Sequence, residues 1–235
     1  MRKVRYMDYK DWESIYRKIV KEFHFSVEND EKAADVLNTL LKQKTPLSLD
    51  EIRAIIIGKE IIIFGAGPSL ENSIIKHKKI FVNKLKIAAD GATTALIKYG
   101  IHPDIIVTDL DGKIPDQLKA NLDGGIVVVH AHGDNIDKIK KYVPKFKGEI
   151  VGTTQINPEP YGSIHNFGGF TDGDRAVYLA DHFHAKKIYL IGFDFNNEIG
   201  RYSFAENKNK TLKLKKLRWC KNLVNMLNKK NIHYL

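Results

Sequence analysis

Short apolar runs recur along the chain from residue 60 onward. They are EIIIF at 60–64, LKIAA at 85–89, DIIVT at 104–108, GIVVVHA at 125–131, EIVGT at 149–153 and KIYLIGF at 187–193. Their apolar residues are consecutive rather than alternating, which is typical of parallel strands buried on both faces. Helical patterns lie between most of these runs, at 69–78, 92–99, 115–121, 134–142 and 173–185. This order predicts an α/β fold with a Rossmann-like, doubly wound and mostly parallel sheet.

The first 57 residues show helical spacing and no strand-like run. Their apolar positions predict helices over 8–24 and 30–43, and SLDE at 48–51 has the capping-box pattern that begins a short third helix. We therefore expect a small helical N-terminal segment over 1–57. The α/β domain over 58–235, including a basic C-terminal helix, is expected to perform the chemistry.

The positive charge of the chain is concentrated near its C-terminus. The formal net charge is +10, and nine lysine or arginine side chains follow Glu206 with no further acidic one. This distribution argues against a protein that coats nucleic acid and for a local basic surface. The last helix has an apolar face and should pack, so its lysines form a solvated face unless Lys213 and Lys216 reach a polyphosphate.

Composition excludes several classes of protein. No apolar run approaches the ~18 residues that a membrane span needs, and there is no secretory signal pattern. Cys220 is the only cysteine, so one chain can form neither a disulfide nor a thiolate zinc site. With 235 residues, 43% of them hydrophobic, the chain can bury a core. We expect a soluble, cytoplasmic protein.

Polar, acidic or glycine-rich segments follow the predicted strands. They are GAGPS at 65–69, DGAT at 90–93, DLDG at 109–112, HGDN at 132–135, TQINP at 154–158 and DFNNE at 194–198. Ligands of doubly wound sheets bind beyond the carboxyl ends of the strands. These six segments should therefore meet at one edge of the sheet and form an active site there.

Asp109 and Asp111 are the strongest pair of candidates at this edge. Residues i and i+2 of an extended chain point the same way, so the two carboxylates should share one small volume and repel each other. A hard divalent cation removes that conflict, and Mg²⁺ typically combines one or two carboxylates with water and substrate phosphates. The pattern predicts a Mg²⁺ site at Asp109 and Asp111, with an Asx turn before Gly112 as the alternative.

FGAGPSL at 64–70 is a candidate phosphate-binding loop. Gly65 and Gly67 allow backbone N–H groups to face a phosphate at a helix N-terminus, and Ser69 adds a hydroxyl. The segment has Leu70 where the dinucleotide fingerprint has its third glycine, and the chain has no P-loop. A plain strand-to-helix turn is therefore the alternative.

Three further segments supply weaker candidates. Asp90 ends the second strand, where a Rossmann enzyme holds a ribose hydroxyl, but a helix N-cap explains it equally well. Asp194 ends the last predicted strand, where a simple turn is the alternative. HAHGD at 130–134 is similar to the HxHxD ligands of binuclear hydrolases but has Asn135 in place of their further histidine, which weakens it as a metal motif.

GGFTDGDRA at 168–176 opens a predicted helix. Thr171 and Asp174 fit a capping arrangement, which is sufficient to explain both. It does not explain why Asp172 and Arg175 lie in the same turn after two glycines. Arginine binds phosphate through a planar fork of donors, so we expect Arg175 to clamp a phosphate group.

These motifs resemble those of a known family in order and spacing. ADGAT, HPDIIVTDLDG and TDGDRA are similar to the ADGG, PDxIxGDxDS and TD-helix motifs of thiamin pyrophosphokinases. Together with GAGPSL, HAHGDN and LIGFDF, they more closely resemble the archaeal 6-hydroxymethyl-7,8-dihydropterin pyrophosphokinases of methanopterin biosynthesis, over about residues 60–220. Thr108 and Gly112 depart from the thiamin motif and argue against thiamin as the substrate.

The resemblance implies a Mg²⁺-dependent transfer of the β,γ-diphosphate of ATP to the hydroxymethyl group of the pterin, with release of AMP. Asp109 and Asp111 would hold the metal and act in catalysis, and Asp194 would read the pterin edge. Nucleotide and phosphate contacts would come from Gly65, Gly67, Ser69, Asp90, Asp172 and Arg175. The expected partners are ATP and a small pterin, in a homodimer with no nucleic-acid or membrane partner.

Two other classes of function stay open. A related domain occurs in glycosyltransferase-like proteins of flagellin modification, where Asp109 and Asp111 would form a DxD site for a sugar nucleotide. Such an enzyme transfers or hydrolyses a CMP- or UDP-sugar and forms no AMP from ATP. A regulatory module would bind ATP without turnover, and a basic RNA-binding tail would bind with steep salt dependence.

Overall fold

The predicted apolar runs pair as neighbouring strands of one sheet. The structure, a computed structural model, describes residues 9–196, 198–203 and 210–235. The strands are β1 (Glu60–Phe64), β2 (Leu85–Ala89), β3 (Ile105–Thr108), β4 (Ile126–Ala131), β5 (Ile150–Thr154), β6 (Ile164–His165), β7 (Lys187–Ile191) and β8 (Ile232–Tyr234). They lie in the order β6-β5-β4-β3-β2-β1-β7-β8, and all the described pairings are parallel. The predicted doubly wound α/β fold is confirmed.

The two edge strands were absent from the sequence prediction. β6 has two residues and β8 has three, which is too short for a hydrophobic period to be visible. The last predicted strand also ends earlier than 193. Gly192 follows β7 with a φ of +70°, which turns the chain out of the sheet.

Helices cover both faces of the sheet. They are α1 (Tyr9–Phe23), α2 (Val27–Leu41), α3 (Leu49–Ile56), α4 (Leu70–His77), α5 (Ala92–Lys98), α6 (Ile114–Leu122), α7 (Ile136–Tyr142), α8 (Asp172–His182) and α9 (Lys210–Leu227). Short 3-10 helices occupy Lys78–Phe81, Val143–Lys145 and Arg201–Ser203. In β1, Ile61 and Ile63 pack with α3, α8 and α9, whereas Ile62 and Phe64 pack with α4 and α5. None of the helices in the described ranges is both long and apolar enough to cross a membrane.

The start of α2 differs from the predicted boundary at residue 30. Ser26 caps the helix by accepting from the backbone N–H of Asn29, so the helix begins at Val27. The capping box at Ser48 and Glu51 is present as predicted. These two caps determine where α2 and α3 begin.

The N-terminal helices share a hydrophobic core with the sheet. Apolar residues of α1 and α2 lie in one buried cluster with β4, β5, α6 and α7. Trp12 of α1 is 1% exposed, and its indole Nε1 donates to the carbonyl of Gln155, just beyond β5, at 2.8 Å. α1 is therefore tied to the carboxyl end of β5, next to the edge strand β6.

We predict that Trp12→Phe destabilises the fold by about 2 kcal/mol or more, because it leaves a cavity and a buried carbonyl of Gln155 without its donor. Trp219→Phe is the matched control. Trp219 is half-buried and its hydrogen bond to Glu22 is exposed to solvent, so the substitution should cost less, about 1 kcal/mol. Urea unfolding of both variants measures the difference, and equal costs would show that the Trp12 anchor contributes little.

Candidate active site

Three carboxylates meet at the carboxyl edge of the sheet. Asp90 follows β2, Asp109 follows β3, and Asp172 is the first residue of α8. One oxygen of each lies within 4.8 Å of the other two, and all three side chains are half-buried. The cluster is formed because the helix that begins at Asp172 packs across β1, β2 and β3.

Asp90 is held by a network of neutral donors. Its Oδ1 accepts from the Thr108 hydroxyl at 2.8 Å, the Gln117 side-chain amide at 2.8 Å and the Gly112 backbone N–H at 3.0 Å. A Cβ on Gly112 would lie 2.7 Å from Oδ2 of Asp90, so only glycine fits there. The three bonds occupy one oxygen of Asp90 and leave Oδ2 outside this network.

Asp109 is oriented by the loop after β4. His132 Nδ1 accepts from the backbone N–H of Asp134 at 3.3 Å, which places the His132 proton on Nε2. That Nε2 lies 3.4 Å from Oδ2 of Asp109. Asn135 donates to the carbonyl of Asp109 at 2.9 Å, so both the side chain and the backbone of this aspartate are positioned.

Asp111 takes a different direction from Asp109. Leu110 between them has a φ of +67°, so the chain is not extended as the i and i+2 argument requires. The Asp111 carboxylate pairs with Lys138, and its backbone N–H donates to Oδ1 of Asp109 at 3.2 Å, as in an Asx turn. The structure thus places Asp109 with Asp90 and Asp172, and Asp111 beside them.

Two positive-φ residues other than glycine flank the carboxylate cluster. Asp90 has a φ of +42° and Leu110 a φ of +67°. Such conformations cost of the order of 1–3 kcal/mol each and are found disproportionately at functional sites. The strain lies in the two segments that deliver Asp90 and Asp109 to the cluster.

Arg175 and Asp172 form a buried ion pair at the start of α8. Arg175 is 7% exposed, and its guanidinium lies 3.1 Å from Oδ1 of Asp172. The Nε of Arg175 is buried and has no hydrogen-bond partner among the residues that the structure describes, which is uncommon for a buried donor. Thr171 and Asp174 form the predicted capping box, which leaves Asp172 and Arg175 to face the cavity.

The pKa values show that the cluster holds excess negative charge. Burial and the charge of Asp109 raise the pKa of Asp90 to about 6 and that of Asp172 well above its usual range. Burial would also raise the pKa of Asp109, but the His132 hydrogen bond and the positive charges of Arg175 and Lys216 hold it below its usual value. Three oxygen ligands whose charges repel one another suit a hard divalent cation, so the cluster fits Mg²⁺.

The predicted phosphate loop lies where the strand order reverses, between β1 and β7. A Cβ on Gly67 would lie 2.3 Å from Oδ2 of Asp194 and 2.5 Å from the carbonyl of Gly192, so glycine is required for this approach. The backbone N–H and hydroxyl of Ser69 both donate to Oδ2 of Asp194, at 2.9 and 2.8 Å. Asp194 therefore ties the segment after β7 to the first turn of α4.

One cavity of about 380 Å³ connects these groups. All the predicted site residues line it except Ser69, which lies behind Asp194. Lys213 and Lys216 of α9 also line it, and the Lys216 ammonium lies over the rings of Phe25 and Phe170 at 5.8 and 5.7 Å. Two lysines of the C-terminal helix therefore face the cavity.

Sequence reasoning missed several residues of the site. Thr108 and Gln117 hold Asp90, and His132 orients Asp109, but isolated polar residues of this kind have no periodic or motif signal. Phe25 and Asn29 reach the cavity from the start of α2, which the pattern assigned only to a helical segment. Their role depends on how α2 docks, which no local pattern contains.

The fold and the cavity define a Rossmann-like α/β protein with an acidic centre at the carboxyl edge of its sheet. A family model described as "6-hydroxymethylpterin diphosphokinase MptE-like" matches residues 31–200. The chain belongs to this diphosphokinase family and is an enzyme.

Three similar curated proteins, all archaeal, share the name "6-hydroxymethyl-7,8-dihydropterin pyrophosphokinase". That of Methanocaldococcus jannaschii is 45% identical, with 95% of this chain and 97% of the relative covered. That of Pyrococcus furiosus is 44% identical, with 94% of each chain covered. That of Methanothermobacter thermautotrophicus is 44% identical, with 84% of this chain and 83% of the relative covered.

Among solved structures, the Maf glycosyltransferase of Magnetospirillum magneticum AMB-1 matches with a TM-score of 0.45 and 17% identity. The match covers 59% of this chain and 23% of that chain.

We predict that Asp90→Asn stabilises the cation-free protein at pH 8. Because the pKa of Asp90 is raised from 3.8 to about 6 in the folded state, ionising it costs stability as the pH rises through this window. The variant removes that cost, of the order of 1–3 kcal/mol, and should gain little at pH 3.5, where the carboxyl is mostly neutral in both states.

Thermal unfolding in EDTA at both pH values measures this effect. Asp134→Asn, at an exposed position of the same cavity, is the control and should not gain stability at pH 8. Adding Mg²⁺ should raise the melting temperature of the wild type more than that of Asp90→Asn. Equal stability of the wild type and Asp90→Asn at pH 8, with no response to Mg²⁺, would contradict the cation site.

Proposed function

We propose that this enzyme transfers the β,γ-diphosphate of ATP to the hydroxymethyl group of 6-hydroxymethyl-7,8-dihydropterin and releases AMP, in a Mg²⁺-dependent reaction. The observation that carries the proposal is the cluster of Asp90, Asp109 and Asp172, which lines a cavity of about 380 Å³ at the carboxyl edge of the sheet. The type of reaction and the pterin substrate are proposed from the names of the archaeal relatives.

The carboxylates of Asp90, Asp109 and Asp172 would hold the cation. Mg²⁺ bound there supplies positive charge to the oxygens of the transferred diphosphate. The protein keeps these ligands in place through Thr108 and Gln117 on one side and His132 on the other. Such preorganisation lowers the barrier because no ligand has to move during the transfer.

Positive side chains around the cluster complement the polyphosphate. Arg175 lies beside Asp172, and its buried Nε has no partner within the described part of the chain; such a donor suits a phosphate oxygen. Lys216 lines the same cavity and is near enough to lower the pKa of Asp109 further. Diphosphate transfer requires mainly that the attacking hydroxyl and the leaving phosphate lie in line, and that cations stabilise the developing negative charge.

The β1–β7 end of the cavity suits the nucleotide. Gly65 and Gly67 line the cavity at the point where the strand order reverses, which is the usual nucleotide position in such sheets. Their backbone N–H groups donate to the carbonyls of Ile191 and Gly192, so they do not supply the phosphate donors that the sequence predicts. The α4 N-terminus follows directly, although its Ser69 donors bond to Asp194. In this arrangement Asp194 borders the nucleotide, where its remaining oxygen suits a ribose hydroxyl or an amino group.

We predict that AMP forms only when the protein, ATP, Mg²⁺ and 6-hydroxymethyl-7,8-dihydropterin are all present. Chromatography of the nucleotides measures this directly, with thiamin and a UDP-sugar as alternative second substrates. Formation of AMP with thiamin but not with the pterin would show that thiamin is the acceptor substrate. Turnover of the UDP-sugar without any AMP would contradict diphosphate transfer.

Two aspartate variants separate the three-carboxylate site from the Asp109–Asp111 site that the sequence predicts. We predict that Asp109→Asn raises the Mg²⁺ concentration for half-maximal rate at least about tenfold and lowers kcat about 10²–10³-fold. Asp111→Asn breaks the contact with Lys138, so it should lower kcat but leave the Mg²⁺ requirement close to that of the wild type. An equally large rise in the Mg²⁺ requirement for Asp111→Asn would show that Asp109 and Asp111 share the cation.

A further inference from the structure

The cavity extends along the carboxyl edge of the sheet, because its lining residues follow several neighbouring strands. From β5 to β7 the edge spans five strand spacings, or about 24 Å. Asp90 and Asp109 follow the two strands in the middle. Gly67 and Asp194 lie toward one side, which we call the switch-point end, and the start of α2 lies beside β4 and β5 at the other, which we call the α2 end.

The α2 end is fixed by one buried carboxylate. Asp30 is 2% exposed, and its Oδ1 accepts from the backbone N–H of Gly133 at 2.7 Å. Its Oδ2 accepts from the hydroxyl of Tyr16 and from the side-chain amide of Gln155, both at 2.7 Å. Asp30 therefore joins α1, α2, the loop after β4 and the segment after β5 at one point.

This anchor places Asn29 at the cavity. A Cβ on Gly133 would lie 2.7 Å from the Cβ of Asn29, so glycine allows the first turn of α2 to approach the loop after β4. The backbone N–H of Asn29 donates to the side chain of the N-cap residue Ser26, while the side chain of Asn29 is exposed and lines the cavity. A side-chain amide offers a donor and an acceptor side by side, which matches the amide edge of a heterocycle.

The same end of the cavity has an aromatic wall. Phe25 and Phe170 both line the cavity, with ring centroids 6.2 Å apart, and Phe23 stacks behind Phe25 at 5.4 Å. The Lys216 ammonium lies above the two lining rings, 5.8 and 5.7 Å from their centroids. An aromatic surface beside an exposed side-chain amide is suited to a flat, hydrogen-bonding ring.

We propose that the start of α2 forms the subsite for the acceptor heterocycle, with the ring packed on Phe25 and Phe170 and its amide edge read by Asn29. This inference rests on the proposed diphosphate transfer and assigns its two substrates to opposite sides of the carboxylate cluster. The N-terminal helical segment then determines which acceptor the enzyme takes, while Asp194 belongs to the nucleotide.

Equilibrium titration of the full-length chain tests the subsite without requiring turnover. The probe is the fluorescence of 6-hydroxymethylpterin, and ATP binding with Mg²⁺ is measured by calorimetry. Asn29→Ala and Phe25→Leu should each weaken pterin binding about tenfold or more and leave the Kd for ATP within about twofold. Asp194→Asn should do the reverse, weakening ATP binding and leaving pterin binding unchanged.

Asn72→Ala, at an exposed position of α4 that does not line the cavity, is the matched control and should bind both ligands as the wild type does. Circular dichroism and melting temperatures establish that each variant is folded. The subsite is overturned if pterin binding is unchanged in Asn29→Ala and Phe25→Leu, if it is lost in Asp194→Asn instead, or if the wild type does not bind the pterin. A wild type that binds the pterin as predicted but forms no AMP contradicts the proposed transfer alone.

Discussion

The repulsion among three carboxylates is the constraint on which the site depends. Asp90, Asp109 and Asp172 come from two strand ends and one helix start, and their oxygens lie within 4.8 Å of one another. Burial and the neighbouring negative charge raise the pKa values of Asp90 and Asp172, so ionising the whole cluster is unfavourable without a cation. A divalent cation removes the repulsion, and for this reason the geometry favours metal-dependent chemistry over a plain turn at each strand end.

The second feature that organises the molecule is the position of its N-terminal helices. α1 and α2 pack in the same core as β4 and β5, and Asp30 and Trp12 tie them to loops at the carboxyl edge. The cavity therefore has walls from both the helical segment and the α/β sheet, with α9 contributing Lys213 and Lys216. The proposed transfer between two substrates needs two binding surfaces around one charged centre, and we assign one substrate to each wall.

The sequence predicted the sheet well because consecutive apolar runs reflect burial on both faces, which is a local property. It predicted Asp109 at the site for the same reason, since a strand end is visible in the pattern. The relation of Asp111 to Asp109 was not predictable, because it depends on the positive φ of Leu110. The contact of Asp172 with Asp109 and the position of Asn29 depend on how α8 and α2 dock, which only tertiary packing determines.

The most direct test of the central claim is the anomalous scattering of Mn²⁺ in crystals of the protein grown with a non-hydrolysable ATP analogue. The account predicts an anomalous peak between the carboxylates of Asp90, Asp109 and Asp172, in contact with the analogue's phosphates. A peak bound only by Asp109 and Asp111, or none within reach of Asp90 and Asp172, would contradict it.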